Sequence, residues 1–119
     1  MNLLEAVIRL VVLVMSTKNE VKGVHEVYIG NVNAALIRVA ELFRPAIREN
    51  CPAMIVVHNH PSGDPSPSAE DVLVTRKIAS GGKMLDIELL DHVIIGGQSH
   101  VSLKEKVLGF EKLNPDTPT

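Results

Sequence analysis

The segment from residue 53 to residue 71, AMIVVHNHPSGDPSPSAED, constrains the fold more than any other part of the chain. Its first five residues are apolar, which predicts a short buried strand over 53–57. Three prolines and a glycine between residues 61 and 67 predict a stiff, turn-rich loop. Ser68 and Asp71 then match an S-x-x-D capping box, so a helix is predicted to begin at Ser68. A strand, a tight loop and a helix in this order can bring the end of the strand close to the first turn of the helix.

The remaining elements follow from hydrophobic periodicity. Short apolar runs predict strands at 8–15, 24–29, 87–90, 92–95 and 101–103; the first is expected to be buried on both faces and to pair with the second. Helical spacing predicts a helix over 34–49 that is kinked or broken at Pro45. The helix from Ser68 is expected to end near Ser80, before Gly81-Gly82, and residues 104–110 to form a last helical turn or two. Alternating strands and helices indicate an α/β (or α+β) class with a mixed sheet.

Length and composition limit the classes of protein to consider. A chain of 119 residues is expected to form one domain. A formal charge of −2, without a cluster of Lys or Arg, argues against tight DNA binding. The single cysteine, Cys51, is expected to be a buried apolar side chain, and its lack of a disulfide partner favours a reducing compartment, the cytoplasm. The longest apolar run, 6–15, contains Arg9 and is too short to span a bilayer, while exposed strand edges in so small a domain favour a homodimer.

The two histidines after the predicted strand indicate metal chemistry. Residues i and i+2 of a strand point to the same face, so His58 and His60 form a pair of imidazoles. A catalytic zinc usually has three protein ligands, drawn from histidine nitrogens and carboxylates, and keeps a fourth position for water. Asp71 is favoured over Asp64 as the carboxylate, because the stiff loop can return Asp71 to the strand end whereas an Asx turn explains Asp64 fully. Ser68, almost one helical turn before Asp71, could point its hydroxyl into the same site.

Two other interpretations of this segment stay open on the residues alone. Histidines at a strand end and a Ser-Asp cap can occur without any metal. The letters His58-Asn59-His60 also match the name of the HNH nucleases, but the letters of that motif are dispersed over a longer segment, and the acidic net charge argues against a DNA-cutting surface. His92 is interpreted as a strand-end histidine bonded to a neighbour such as Asp91 rather than as a ligand.

The motifs of this chain resemble those of a known family. The order His-Asn-His-Pro at 58–61, followed by Ser68 and Asp71, is similar to the core of the JAMM (MPN-domain) metalloproteases. The block HNHPSGDPSPS, with TKN at 17–19, LLDHVIIG at 89–96 and VSLKE at 101–105, resembles more closely the C-terminal domain of the RadC family of bacterial proteins. The resemblance covers residues 8–108.

This resemblance implies the MPN/JAMM (cytidine-deaminase-like) architecture, a mixed sheet flanked by helices, with Zn²⁺ held by His58, His60 and Asp71. In JAMM enzymes the metal acidifies a bound water, a glutamate takes its proton, and hydroxide attacks a peptide or isopeptide carbonyl. The serine that matches Ser68 stabilises the resulting oxyanion. Longer RadC proteins carry a helix-hairpin-helix region for DNA. No such region precedes Met1, so we expect a single domain over 1–119 without a nucleic-acid partner.

The general-base glutamate is the point at which the chain departs from the family. The family position, counted back from Thr17, is held by Ile8, and the nearest acidic residue is Glu5. Glu5 is therefore the candidate base, ahead of Glu26 on a strand and Glu41 on a helix. Two hypotheses follow. The chain is a zinc-dependent hydrolase that cleaves a peptide or isopeptide bond in an unidentified protein or peptide substrate, or it is a catalytically silent, zinc-stabilised module that binds repair or replication proteins.

Overall fold

The computed structural model describes residues 7–30 and 32–111, and within them the chain forms one mixed five-stranded sheet and two helices. The strands lie in the order β2-β1-β3-β4-β5. The predicted fold class is confirmed. The elements are β1 (Arg9–Met15), β2 (Val21–Ile29), α1 (Val39–Arg48), β3 (Ala53–Asn59), α2 (Ala69–Leu85), β4 (Glu88–Gly96) and β5 (Ser99–Ser102).

The sheet is mixed because one of its connections is a helical crossover. β1 pairs antiparallel with β2 and with β3, and β4 pairs antiparallel with β5. β3 and β4 pair in parallel, since α2 returns the chain from the end of one strand to the start of the next. The end of β3 therefore lies beside the start of β1 and is followed by the loop into α2. The predicted site is at this corner of the sheet.

Alternation along the strands determines which side chains reach the core. Leu10, Val12 and Val14 of β1 are buried, while the residues between them are half-buried, so the prediction that this strand is buried on both faces was wrong. The buried rows of β1 and β3 belong to the same hydrophobic cluster as Phe43 of α1 and Ile78 of α2. His58 continues the buried row of β3, which explains why a polar ring at the strand end is only 2% exposed.

The helices differ from their predicted bounds. α1 begins at Val39 rather than at residue 34, and it continues through Pro45 without a break. α2 passes through Gly81-Gly82 and ends at Leu85, and Asp86 takes the left-handed conformation as its C-cap. A Cβ on Gly81 would lie 2.5 Å from Cγ1 of Val39, so glycine here serves close helix packing rather than termination. In the described part of the chain, no helix has the length and apolar character that a membrane span requires.

The C-terminal part of the sheet also corrects the sequence interpretation. The segments 87–90 and 92–95 belong to one strand, β4, rather than to two. Met54 pairs with Leu89 and Ile55 pairs with Asp91, so Leu90 is an extra residue, a bulge on β4. The predicted strand at 101–103 is β5, displaced to Ser99–Ser102, and residues 104–110 form turns instead of a helix.

Candidate metal centre

The structure brings together the three residues that the sequence predicted as metal ligands. His58 lies near the end of β3, His60 just beyond it, and Asp71 in the first turn of α2. One side-chain ligand atom of each lies within 4.8 Å of those of the other two, so the group could hold a metal ion. His58 and Asp71 are buried, whereas the His60 side chain is 20% exposed and opens the group to solvent.

The loop over 61–67 is folded back onto the sheet by backbone contacts. The His60 N–H donates to the Ile95 carbonyl oxygen at 2.8 Å, which continues the pairing of β3 with β4. A Cβ on Gly96 would lie 2.6 Å from the backbone nitrogen of Pro65, so only glycine allows the loop to lie this close to β4. The Asp64 carboxylate accepts from the backbone N–H of Ser66 at 2.9 Å, and hydrogen bonds from the side chain and the backbone of Ser66 lower its pKa. Asp64 is thus used within the turn, as predicted, and lies outside the group of potential ligands.

Asp71 is held in place by the predicted capping box, which is confirmed. The backbone N–H of Asp71 donates to Ser68 Oγ at 3.1 Å, and the backbone N–H of Ser68 donates to Asp71 Oδ2 at 2.8 Å. Asp71 Oδ1 remains directed at His58 Nε2, 3.2 Å away. Burial raises the pKa of this carboxyl, but the His58 ring beside it and the hydrogen bonds from Ser68 outweigh the burial and hold the pKa well below its usual range. Asp71 is therefore ionised at neutral pH.

The orientation of the His60 ring follows from its partner. Nδ1 lies 2.9 Å from the backbone carbonyl oxygen of Asp64, and a carbonyl can only accept, so Nδ1 carries the hydrogen. In the neutral ring Nε2 is then a bare lone pair. It lies 3.1 Å from His58 Nε2 and 3.2 Å from Asp71 Oδ2. Ligand atoms on a tetrahedral zinc with bonds of about 2.0–2.1 Å would lie about 3.3 Å apart, so the spacing of these donors fits the ion.

His92 is the main feature that the sequence interpretation missed. It lies in the interior of β4, fully buried, and its Nε2 lies 2.7 Å from His58 Nδ1. Its other nitrogen, Nδ1, lies 2.6 Å from the hydroxyl of Thr75 on α2. The prediction of a strand-end ring bonded to Asp91 was wrong, since Asp91 accepts from the backbone N–H of His92 instead. Burial, with repulsion from His58 as a lesser cause, lowers the pKa of His92 to about 3, so the ring is neutral.

The bulge in β4 explains how His92 reaches the site. Leu89, before the bulge, faces the helices, and strict alternation from it would turn His92 to the opposite face. The extra residue, Leu90, reverses the alternation, so that His92, Ile94 and Gly96 are buried beyond it. The sequence offered two signals: a break in apolar pattern at Asp91, and Thr75 four residues after Asp71, hence on the same face of α2.

The candidate general base, Glu5, lies outside the described residues. Continuing the pairing of Leu10 with His58 by two residues puts Ile8, half-buried, opposite His60. Asn59 fixes this stretch, accepting from the Arg9 N–H at 2.6 Å and donating to the Val7 carbonyl at 3.0 Å.

The two other acidic candidates are engaged elsewhere. Glu26 forms an ion pair with Arg9, and its strand partner, Val11, lies on the face of β1 opposite to Leu10. Glu41 of α1 pairs with Arg38 at 3.5 Å. Among the described residues, only His58, His60 and Asp71 form the group of potential metal ligands.

Comparison with known proteins agrees with this geometry. A family model described as "RadC-like JAB domain" matches residues 4–108. The chain is 54% identical over 99 residues to a UPF0758 protein of Chloroflexus aurantiacus, covering 83% of this chain and 43% of that protein. It is 50% identical over 98 residues to one of Roseiflexus castenholzii, with 82% and 42% covered. For one of Methanosarcina mazei the identity is 47% over 104 residues, with 87% and 44% covered. The chain thus spans less than half the length of these relatives.

Proposed function

The chain belongs to the family of RadC-like JAB domains, and from that premise we propose that it is a zinc-dependent hydrolase that cleaves a peptide or isopeptide bond with water. JAB-type domains include metalloproteases, and the observation that carries the proposal is the donor set. His60 presents a bare Nε2 to a buried, ionised carboxylate, with His58 Nε2 beside both. A bound cation would stabilise so dense a cluster of nitrogen and carboxylate oxygen atoms.

The proposed roles follow from where each side chain lies. His58, His60 and Asp71 would hold the ion, and the solvent-exposed side of His60 leaves room for a substrate carbonyl. A bound zinc would supply a Lewis acid and a water of lowered pKa at this position. The Ser68 Oγ accepts from the Asp71 N–H, so its own hydrogen is available to donate to a developing oxyanion. Glu5 is proposed as the residue that takes the proton of the attacking water.

A second candidate function is favoured by one feature, the apolar Ile8, which lies two residues beyond the Leu10–His58 pair and would face His60 if the pairing continued. A family member with an intact metal site and no base there would be a silent, zinc-stabilised module that binds other proteins. β2 is an edge strand with an exposed Val24, which supports pairing with a second copy or with a protein partner. Repair or replication proteins remain the partner class that the family resemblance suggests.

Zinc content of purified protein tests the metal site. The parent should bind about one zinc per chain, and Asp71→Ala should lose most of it, because the variant removes one ligand and its charge. Asp64→Ala is the matched control, since it removes a carboxylate from the same loop that lies outside the group, and it should keep its zinc. A parent without zinc at neutral pH, after exposure to the metal, would overturn both candidate functions.

Turnover then separates the two candidates. Zinc-loaded parent is incubated with a complex peptide mixture and with isopeptide-linked protein conjugates, and new termini are counted by mass spectrometry. A hydrolase should produce cleavages that Asp71→Ala abolishes and that Glu5→Gln abolishes while it keeps its zinc. Full zinc binding, with no more cleavage than Asp71→Ala gives, would contradict the hydrolase and support the silent module.

A further inference from the structure

We propose that His92 and Thr75 are positioning residues: a chain of hydrogen bonds through them fixes His58 in the tautomer whose Nε2 can bind a metal. The inference rests on the proposed metal site, although not on hydrolysis. Its starting observation is the chain of short contacts that runs from the backbone of Asp71 through Thr75 and His92 to His58. All of these groups are buried.

The first step fixes the Thr75 hydroxyl. Its Oγ1 lies 2.8 Å from the carbonyl oxygen of Asp71, one helical turn earlier. Two oxygens at this distance need a hydrogen between them, and a carbonyl has none to give. The hydroxyl therefore donates its single hydrogen to Asp71, and toward any other partner Oγ1 can only accept.

The second step fixes His92. Its Nδ1 lies 2.6 Å from Thr75 Oγ1, so Nδ1 must carry the hydrogen that this oxygen accepts. The ring is 0% exposed and its side-chain partners are a hydroxyl and an imidazole, so no carboxylate hydrogen-bonds to the ring, and burial keeps it neutral. Nε2 of the neutral ring is consequently an acceptor.

The third step fixes His58. Its Nδ1 lies 2.7 Å from His92 Nε2, an acceptor, so His58 Nδ1 is the donor, and in the neutral ring His58 Nε2 is bare. That Nε2 is the atom 3.2 Å from Asp71 Oδ1 and 3.1 Å from His60 Nε2. The chain of bonds therefore begins at the carbonyl of Asp71 and ends beside the carboxylate of the same residue.

The alternative tautomer of His58 shows why this chain of hydrogen bonds matters for metal binding. If His58 carried its hydrogen on Nε2, that hydrogen would point at Asp71 Oδ1 and occupy the space of the metal. If Thr75 Oγ1 were lost, the Nδ1 hydrogen of His92 would have no acceptor, and the His92 ring would no longer favour one tautomer. His58, which bonds to His92, would then not favour one tautomer either. Groups that orient metal-ligating histidines are typically worth 10–100-fold in metal affinity.

The experiment compares Thr75→Val with Thr75→Ser. Valine keeps the size and loses the acceptor, whereas serine keeps the hydroxyl and loses the methyl that packs near Gly109. Zinc affinity is measured by competition with a chromophoric chelator. The tautomer of His58 is read in the metal-free protein from its ring ¹⁵N chemical shifts, with thermal unfolding as the measure of packing.

We expect Thr75→Ser to bind zinc within about threefold of the parent, with His58 still protonated on Nδ1. Thr75→Val should bind zinc 10–100-fold more weakly, with His58 divided between its two tautomers. This weaker binding is expected even if Thr75→Val unfolds at a higher temperature than Thr75→Ser. Equal affinity of the Val variant and the parent, or a neutral parent His58 protonated on Nε2 instead of Nδ1, would overturn the inference. If the parent bound no zinc, the proposed function would fail, and the ¹⁵N shifts would still test the chain of bonds.

Discussion

The burial of His92 predicts how stability depends on pH in the metal-free protein. The pKa of this ring is about 3 in the folded chain, against 6.5 for an ordinary histidine. Between these values the unfolded chain binds a proton that the folded chain excludes, so the free energy of unfolding falls as the pH falls. The stabilising contribution is complete above pH 6.5 and is lost progressively toward pH 3.

The magnitude follows from one proton. The full slope is about 1.4 kcal/mol per pH unit, so lowering the pH from 6.5 to 4.5 should remove about 2 kcal/mol through His92. Most of this range lies well above the ordinary pKa of 3.8, near which Asp71 of the unfolded chain takes up a proton and the depressed folded pKa adds its own loss. In a domain with a net stability of 5–15 kcal/mol, such a loss is easily measured.

Urea unfolding at pH 4.5 to 7.5, with zinc removed by a chelator, is the assay. The control is His92→Gln, which keeps a polar side chain between Thr75 and His58 but does not titrate. Between pH 6.5 and 4.5 the parent should lose about 2 kcal/mol more than the variant, because only the parent carries the His92 ring. Parallel curves for the two proteins would refute the reasoning, as would a ring titration of His92 near pH 6.5 in the folded parent.

Three further predictions concern the site itself. Ile8→Glu puts a carboxylate opposite His60. If the parent lacks a general base, its turnover on peptide or isopeptide substrates should rise by about 10²–10⁴-fold in this variant. Unchanged turnover would place the base elsewhere. Gly96→Ala sets a Cβ 2.6 Å from the Pro65 nitrogen, so it should lower both the unfolding temperature and zinc affinity, while Ser99→Ala in the same hairpin should change neither by much. Zinc removal should leave the far-UV circular dichroism unchanged and lower the unfolding temperature; complete unfolding would contradict a preformed site.

The sequence predicts the segment 53–71 well because the signals there are local. A buried strand, a proline-rich loop and a capping box each depend on residues only a few positions apart, and all three lie where they were expected. The choice of Asp71 over Asp64 as the residue beside the histidines agrees with the structure for the same reason. A capping box in the sequence does not indicate that the Asp71 carboxylate also faces His58.

The missed features depend on contacts between distant parts of the chain. In the sequence, Gly81-Gly82 predicts the end of α2. Only the packing of Val39 against Gly81 explains why the helix continues through them. His92 is 34 residues from His58, and whether they meet depends on strand register and on the extra residue at Leu90. A pattern read along one strand cannot determine either.

The sequence presented capping and metal binding as competing explanations of Asp71, but in the structure they use different atoms of one residue. The carboxylate accepts from the Ser68 N–H through Oδ2 and faces His58 through Oδ1, while the backbone carbonyl accepts from Thr75. A carboxylate has about four acceptor positions, so the cap leaves room for a metal bond. The hydrogen bonds of the cap come from the chain itself, so they can order the first turn of α2 independently of a metal, which would meet ligands that are already oriented. Its binding energy would then be used for affinity rather than for folding, in contrast to small zinc domains that are unfolded without their metal.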